Sequence, residues 1–176
     1  MDYKIGEKVV YPNHGVGVIE QISYGTLNGR TETYYMLRIT SNSLKVMVPR
    51  SNAEAVGLRP VIRTGETEKV LGYIAKGKFN SHHDWKHRFK ENSERMRTGS
   101  LLEVAAVLKS LVALSRTKPL SFREKKMLER AKYLLITELA TAKNATHETI
   151  ENALVKSLAK ARLRMPTNSE LAEVAE

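Results

Sequence analysis

Two stretches concentrate the residues that can do chemistry. The first, "SHHDWKHRFKENSERMRTGS" at residues 81–100, sets the only tryptophan of the chain, Trp85, among histidine, lysine and arginine. On a helix, His83 and His87 stand at i, i+4, a spacing at which two imidazoles can face one metal ion. Two ligands are too few for a site. The chain has no cysteine and no H-E-x-x-H, and no third ligand accompanies the pair. Trp85 and Phe89 lie one turn apart on one face, Arg88, Glu91 and Arg95 on another, and Lys86 and Lys90 on a third. An apolar pair at i, i+4 is most often core, and Phe89 is expected there. Trp85 differs because it falls in the first turn, where a helix meets solvent or a ligand and its free N–H groups attract phosphate.

The second stretch is "SFREKKMLERAK". Arg123, Lys126 and Arg130 recur at i, i+3, i+7 with Lys125 beside them, while Met127, Leu128, Ala131 and Leu134 supply a buried side. A solvated helix face is the commoner meaning of such a strip. Two basic strips, one flanking an exposed aromatic, favour nucleic acid: an apolar wedge beside phosphate-binding cations can prise base steps apart from the minor groove. No Gly-rich phosphate loop, nucleophile elbow or carboxylate pair is present, so the expectation is a protein that is not an enzyme and needs no cofactor or metal.

The elements that must position these residues change period near residue 63. Up to there the pattern is β. "EKVVYP" and "GVGVIEQISY" read as strands. Asn28-Gly29 marks a tight hairpin. "ETYYMLRI" alternates, with Tyr35, Leu37 and Ile39 on one face and Tyr34, Met36 and Arg38 on the other. "LKVMVP" is a fourth strand and "LRPVI" a candidate fifth, which together suggest a small, partly open barrel. From residue 64 the pattern is α, with helices expected at 66–76, 82–98, 101–116, 122–142 and 147–163. Ser81-x-x-Asp84, Ser100-x-x-Glu103 and Ser121-x-x-Glu124 all fit the capping box, and Gly77 and Gly99 sit where helices end. "LLEVAAVLKSLVAL" reads as the central helix. Residues 164–176 read as a frayed or disordered tail.

The balance of 29 Lys plus Arg against 19 Asp plus Glu gives a net charge of +10, and residues 64–176 carry most of the excess. That favours a polyanionic partner, nucleic acid before an acidic membrane surface. The absence of cysteine suits a reducing cytoplasm, and no stretch is long and apolar enough to span a bilayer. Residues 122–142 come nearest to a membrane-surface helix, but a compact helical domain needs their apolar face for its own core.

Read in order, "GEKVVYPNHGVGVIEQI", "YYMLRI", "VMVP", "VGLR", Trp85, "MRTGS", "SFREKKML" and "LLITEL" resemble the CarD/CdnL family of bacterial transcription regulators over roughly residues 3–160. The resemblance implies an α+β fold with segregated halves. Residues 1–63 would form a small Tudor-like β-barrel that docks on the β subunit of RNA polymerase. Residues 64–163 would form a compact five-helix domain that contacts promoter DNA at the upstream edge of the transcription bubble and stabilises the open complex. Trp85 stands at the family's minor-groove wedge, Arg88 and Lys90 at its adjacent basic positions, and Lys125 and Lys126 at its second basic patch; His87 stands where many members carry arginine. The expected DNA contacts are Trp85, Lys86, His87, Arg88, Lys90, Arg97, Arg123, Lys125 and Lys126. On the β half, family arginines are replaced by Gly25 and Met47, so docking is expected to rest on strand pairing and on Met36, Lys45, Met47 and Pro49. The protein is expected to be a monomer in the cytoplasm, associated with the nucleoid. The alternatives are a basic architectural DNA-binding protein without polymerase docking, or a metal-dependent enzyme using His83 and His87.

Overall fold

The computed structural model of the chain describes residues 1–76 and 84–172. They form two compact units that divide between Val61 and Ile62, two residues before the expected boundary.

The first unit is one antiparallel sheet. Its strands are β1 (Lys8–Tyr11), β2 (Gly15–Leu27), β3 (Arg30–Ile39), β4 (Lys45–Pro49) and β5 (Arg59–Pro60), in the order β4-β3-β2-β1-β5. The alternation of β3 is realised: Tyr35, Leu37 and Ile39 are buried, while Tyr34 and Met36 are half-buried and Arg38 is exposed. Asn28 and Gly29 turn the β2–β3 hairpin with φ of 52° and 75°, which suits a turn with two left-handed residues. A bulge between Ile19 and Gln21 adds a residue to β2 and so adds twist. Val9, Ile19, Leu37 and Val48 pack inside with Tyr3 and Tyr35, whose rings meet edge to face at 5.4 Å. The Tyr3 hydroxyl donates to the carbonyl of Leu58 at 3.0 Å, fixing the N-terminal segment. The fifth strand is only two residues long and contains Pro60, which has no N–H to extend the ladder.

The second unit is helical: α1 (Thr64–Lys76), α2 (Trp85–Arg97), α3 (Leu101–Ser115), α4 (Phe122–Lys143), α5 (His147–Lys160) and a short α6 (Asn168–Ala172). The segregated α+β class is as expected, with five longer helices, of which α1, α2 and α4 pack on α3. That helix is buried on nearly every side, including Leu108, Leu111 and Val112 at 0% exposure. It also buries Lys109, which donates to the carbonyl of Tyr73 and lies over its ring; burial holds the ammonium below the ordinary lysine range.

Two of the three expected capping boxes lie wholly within the described residues, and they behave differently. At Ser121 the box closes: its hydroxyl accepts from the Glu124 N–H at 3.3 Å and the Glu124 carboxylate accepts from the Ser121 N–H at 3.0 Å. Ser100 caps α3 by backbone position alone, and its partner Glu103 instead meets Arg95 at 3.6 Å. At α2 the cap is Asp84, whose carboxylate accepts from the Lys86 N–H at 3.1 Å, so the helix begins three residues later than expected. Ser81 and Gly77 lie outside the described residues. Gly99 does separate α2 from α3, with a left-handed φ of 77°.

Residues 164–172 differ from the expectation of a frayed tail. Leu163 is buried, Met165 and Leu171 pack on the helical core, and Arg164 pairs with Glu170 at 2.5 Å. That pair and the Thr167 hydrogen bonds hold the Glu170 carboxyl at about 2. Apolar residues within the segment supply anchorage that its polar composition concealed. Residues 173–176 lie outside the described residues.

Candidate nucleic-acid interface

The buried stripe of α2 is Arg88, Asn92 and Met96. Trp85 continues that stripe one turn towards the N-terminus, as i−3 of Arg88, where the helix runs out. Its ring is therefore not core: Trp85 is 48% exposed. The other half is covered, so the side chain is neither free nor fully packed.

Arg88 was expected among the DNA contacts, and the structure corrects this. It is 5% exposed, and its Nε and Nη2 donate to Glu124 Oε1 at 3.2 and 2.7 Å. Burial pushes the Glu124 carboxyl up, but hydrogen bonds from Arg88 and Ser121 outweigh it and hold the group below the usual range. Arg88 is thus a structural cation. It ties the first turn of α2 to the first turn of α4, across 36 residues of sequence. Phe89, expected in the core, is half-buried, and the Arg123 guanidinium lies over its ring at 5.9 Å.

This bridge gathers the two basic stretches. Trp85, Lys86, His87 and Lys90 from the start of α2 and Arg123 and Lys126 from the start of α4 are all exposed. The exposed cations share the surface with the acids Asp84 and Glu129: His87 Nδ1 lies 2.7 Å from Asp84 Oδ2. The hydrogen bond with His87, followed by that from the Lys86 N–H, lowers the Asp84 carboxyl. Lys126 lies 3.6 Å from Glu129 in an exposed pair of small worth. Lys125 is half-buried. Arg97 is exposed but is the last residue of α2, about 18 Å along the axis from Trp85, and does not join the cluster. One residue escaped the sequence reading. Phe122, the first residue of α4, is 74% exposed, and Lys126 Nζ lies 5.6 Å from its ring centroid. Its position directly after a capping serine was the available signal.

On the sheet unit, the four expected partner-binding residues come together. Met36 stands opposite Met47, Tyr34 opposite Pro49 and Arg38 opposite Lys45, all on the face away from the core. Met47 is 55% exposed. Lys45, Met47 and Pro49 belong to β4, a sheet edge, and Met36 to the neighbouring β3. Ile39 N–H donates to the Leu44 carbonyl at 2.9 Å. By the alternation of an antiparallel ladder, Val46 and Val48 also bond inward to β3, and the backbone groups of Lys45 and Met47 point to the open edge. Glu20 binds Arg38 at 2.6 Å and lies 3.9 Å from Lys45, closing one end of the apolar strip with charge. At Gly25 an added Cβ would stand 3.1 Å from the Tyr34 ring, so that ring occupies the space above the glycine.

Among the described residues no group of three or more His, Cys, Asp or Glu could hold a metal ion; His83 lies outside them. Among the same residues, no helix is long and apolar enough to cross a membrane.

A sheet module with an apolar open edge, followed by a helical module with an aromatic among cations, belongs to the class of two-module transcription regulators, and comparison with known proteins gives the same class. A profile described as the CarD-like/TRCF RID domain matches residues 3–62, and one described as the CarD C-terminal domain matches residues 69–155. The chain is 32% identical over 150 residues to the putative transcription factor YdeB of Bacillus subtilis (strain 168), covering 85% of this chain and 98% of that protein. A solved structure, "CdnLNt from Myxoccoccus xanthus", is 37% identical and covers 35% of this chain and 87% of its own, with a TM-score of 0.30. The chain belongs to the CarD/CdnL family of transcription regulators. Its sheet module marks RNA polymerase as the kind of partner it takes.

Proposed function

We propose that the sheet unit docks on the β subunit of RNA polymerase and that the helical unit contacts promoter DNA at the upstream edge of the transcription bubble, stabilising the open complex. The observation that carries this reading is Trp85: a half-exposed aromatic at the start of α2, on the helix start that carries Lys86, His87 and Lys90, which the Arg88–Glu124 pair joins to the start of α4 with Arg123 and Lys126. The ring would enter the minor groove as a wedge while the cations hold the flanking phosphates. Arg88 supports this surface from beneath rather than touching DNA. Phosphate contacts carry little base information, so binding to DNA alone is weak and largely independent of sequence. On the sheet unit, an extended polymerase segment would add to β4, pairing with the outward groups of Lys45 and Met47 and resting on Met36, Met47 and Pro49. The protein acts as a monomer in the cytoplasm, at the nucleoid, without a cofactor. The reading is tested by the lifetime of the polymerase–promoter open complex with and without the protein. A lengthened lifetime is expected. An unchanged lifetime, with DNA binding retained in the absence of polymerase co-purification, would leave an architectural DNA-binding role instead.

A further inference from the structure

Phe122 is the first residue of α4, and the fold does not need its ring. The capping box at this helix start uses Ser121 and Glu124, and the buried side of the helix is Glu124, Leu128 and Ala131. A ring left 74% exposed on a charged surface has no packing reason to be there. Its surroundings are cationic. Lys126 Nζ lies 5.6 Å from the Phe122 centroid, and the neighbouring Arg123 covers the ring of Phe89. The Arg88–Glu124 bond joins this helix start to that of α2. Trp85 lies three residues before Arg88 and Phe122 two residues before Glu124, so each aromatic sits within about one turn, ~5 Å of rise, of the same bridge.

An apolar protein partner at Phe122 would have to desolvate Lys126 and Arg123 without pairing them, which is costly. A nucleotide satisfies both features: its phosphate meets the ammonium and its base offers a π-face to the ring. In a duplex those base faces are covered by neighbours, and only an unpaired base has one free. We infer that Phe122 is a second DNA-contacting aromatic that stacks on an unpaired base at the edge of the bubble, beside the wedge position of Trp85. This rests on the reading that the α2–α4 surface faces promoter DNA. It adds to that reading a preference for forked over fully paired DNA that the cations alone cannot give.

The test compares the full chain with Phe122→Ala, Phe122→Leu and Phe122→Tyr. Each is titrated at low salt against a duplex carrying a short unpaired arm and against a full duplex, followed by fluorescence anisotropy. The Ala and Leu variants should lose fork affinity by about five- to 150-fold, the worth of one stacked base, with duplex affinity within about twofold. The Tyr variant should keep both. Because Leu restores apolar volume without a π-face, its loss separates stacking from packing, and melting temperatures should match the parent. Fork affinity unchanged in Phe122→Ala, or an equal loss on both DNAs, would overturn the inference. If Trp85→Ala weakens fork binding while Phe122→Ala does not, only the Phe122 role falls. If the parent chain binds neither DNA, the DNA reading of the surface falls, and this role with it.

Discussion

Arg88 and Glu124 have side chains only 6% and 5% exposed, and their pairing joins the helix starts that carry Trp85, Lys86 and Lys90 on one side and Phe122, Arg123 and Lys126 on the other. Removing one partner strands a buried charge. Arg88→Met should lower stability by about 3–5 kcal/mol at neutral pH, measured by chemical denaturation. The pH dependence has a definite sign. In the parent, the Glu124 carboxyl lies below its ordinary value, so its contribution is present above that value and is lost as pH falls through the folded one. In Arg88→Met, burial acts without the guanidinium and raises the carboxyl. The deficit of the variant should therefore shrink as pH is lowered towards about 4. A deficit absent at neutral pH would return Arg88 to the DNA-facing set. Its role was not legible in the sequence for a physical reason. Spacing along one helix reports which face a residue takes, but not what stands opposite, and Glu124 is 36 residues away. Phe122 was missed although its position directly after a capping serine, at a helix start like that of Trp85, was the available signal. The half-exposed placement of Trp85 was legible because position at a helix start is a local property.

Among the elements, the strands were read well because a period of two is a local signal. Tyr35, Leu37 and Ile39 fell on the buried face, and Asn28-Gly29 on the turn. Helix starts were read less well. Three serine boxes share one pattern; of the two within the described residues only Ser121 closes, because at α3 Glu103 faces Arg95 instead, and at α2 the carboxylate of Asp84 takes the cap. The ordering of residues 164–172 depends on Leu163, Met165 and Leu171 reaching the core, which a polar composition does not reveal. The element with the clearest consequence is β4, an edge strand whose exposed Met47 faces away from the core. Met47→Glu places a charge on the proposed docking strip and desolvates it on docking. It should leave the melting temperature nearly unchanged, as surface substitutions do, and reduce co-purification of RNA polymerase. Undiminished recovery of polymerase with the folded variant would place docking elsewhere on the sheet.

For the whole molecule, the proposed function needs two modules because each would be weak alone. Docking the sheet unit on polymerase would raise the effective concentration of the helical unit at the DNA, and the net charge of +10 would draw it to phosphate. The DNA contact should therefore fall steeply with salt, with a log–log slope near −0.9 for each phosphate neutralised. Replacing Lys125 and Lys126 by Ala should make that slope shallower; an unaltered slope would move the DNA path off the start of α4. In the proposed function the molecule holds promoter DNA open through Trp85, and the lifetime of the open complex is the direct measure of it. Trp85 is half exposed, so Trp85→Ala should cost well under the ~3–5 kcal/mol of a fully buried ring. The variant should remain folded and still co-purify with polymerase. With the parent protein, open complexes challenged with competitor should persist longer than with polymerase alone; with Trp85→Ala most of that extension should vanish. A folded, polymerase-bound Trp85→Ala that extends the lifetime as fully as the parent would contradict the account.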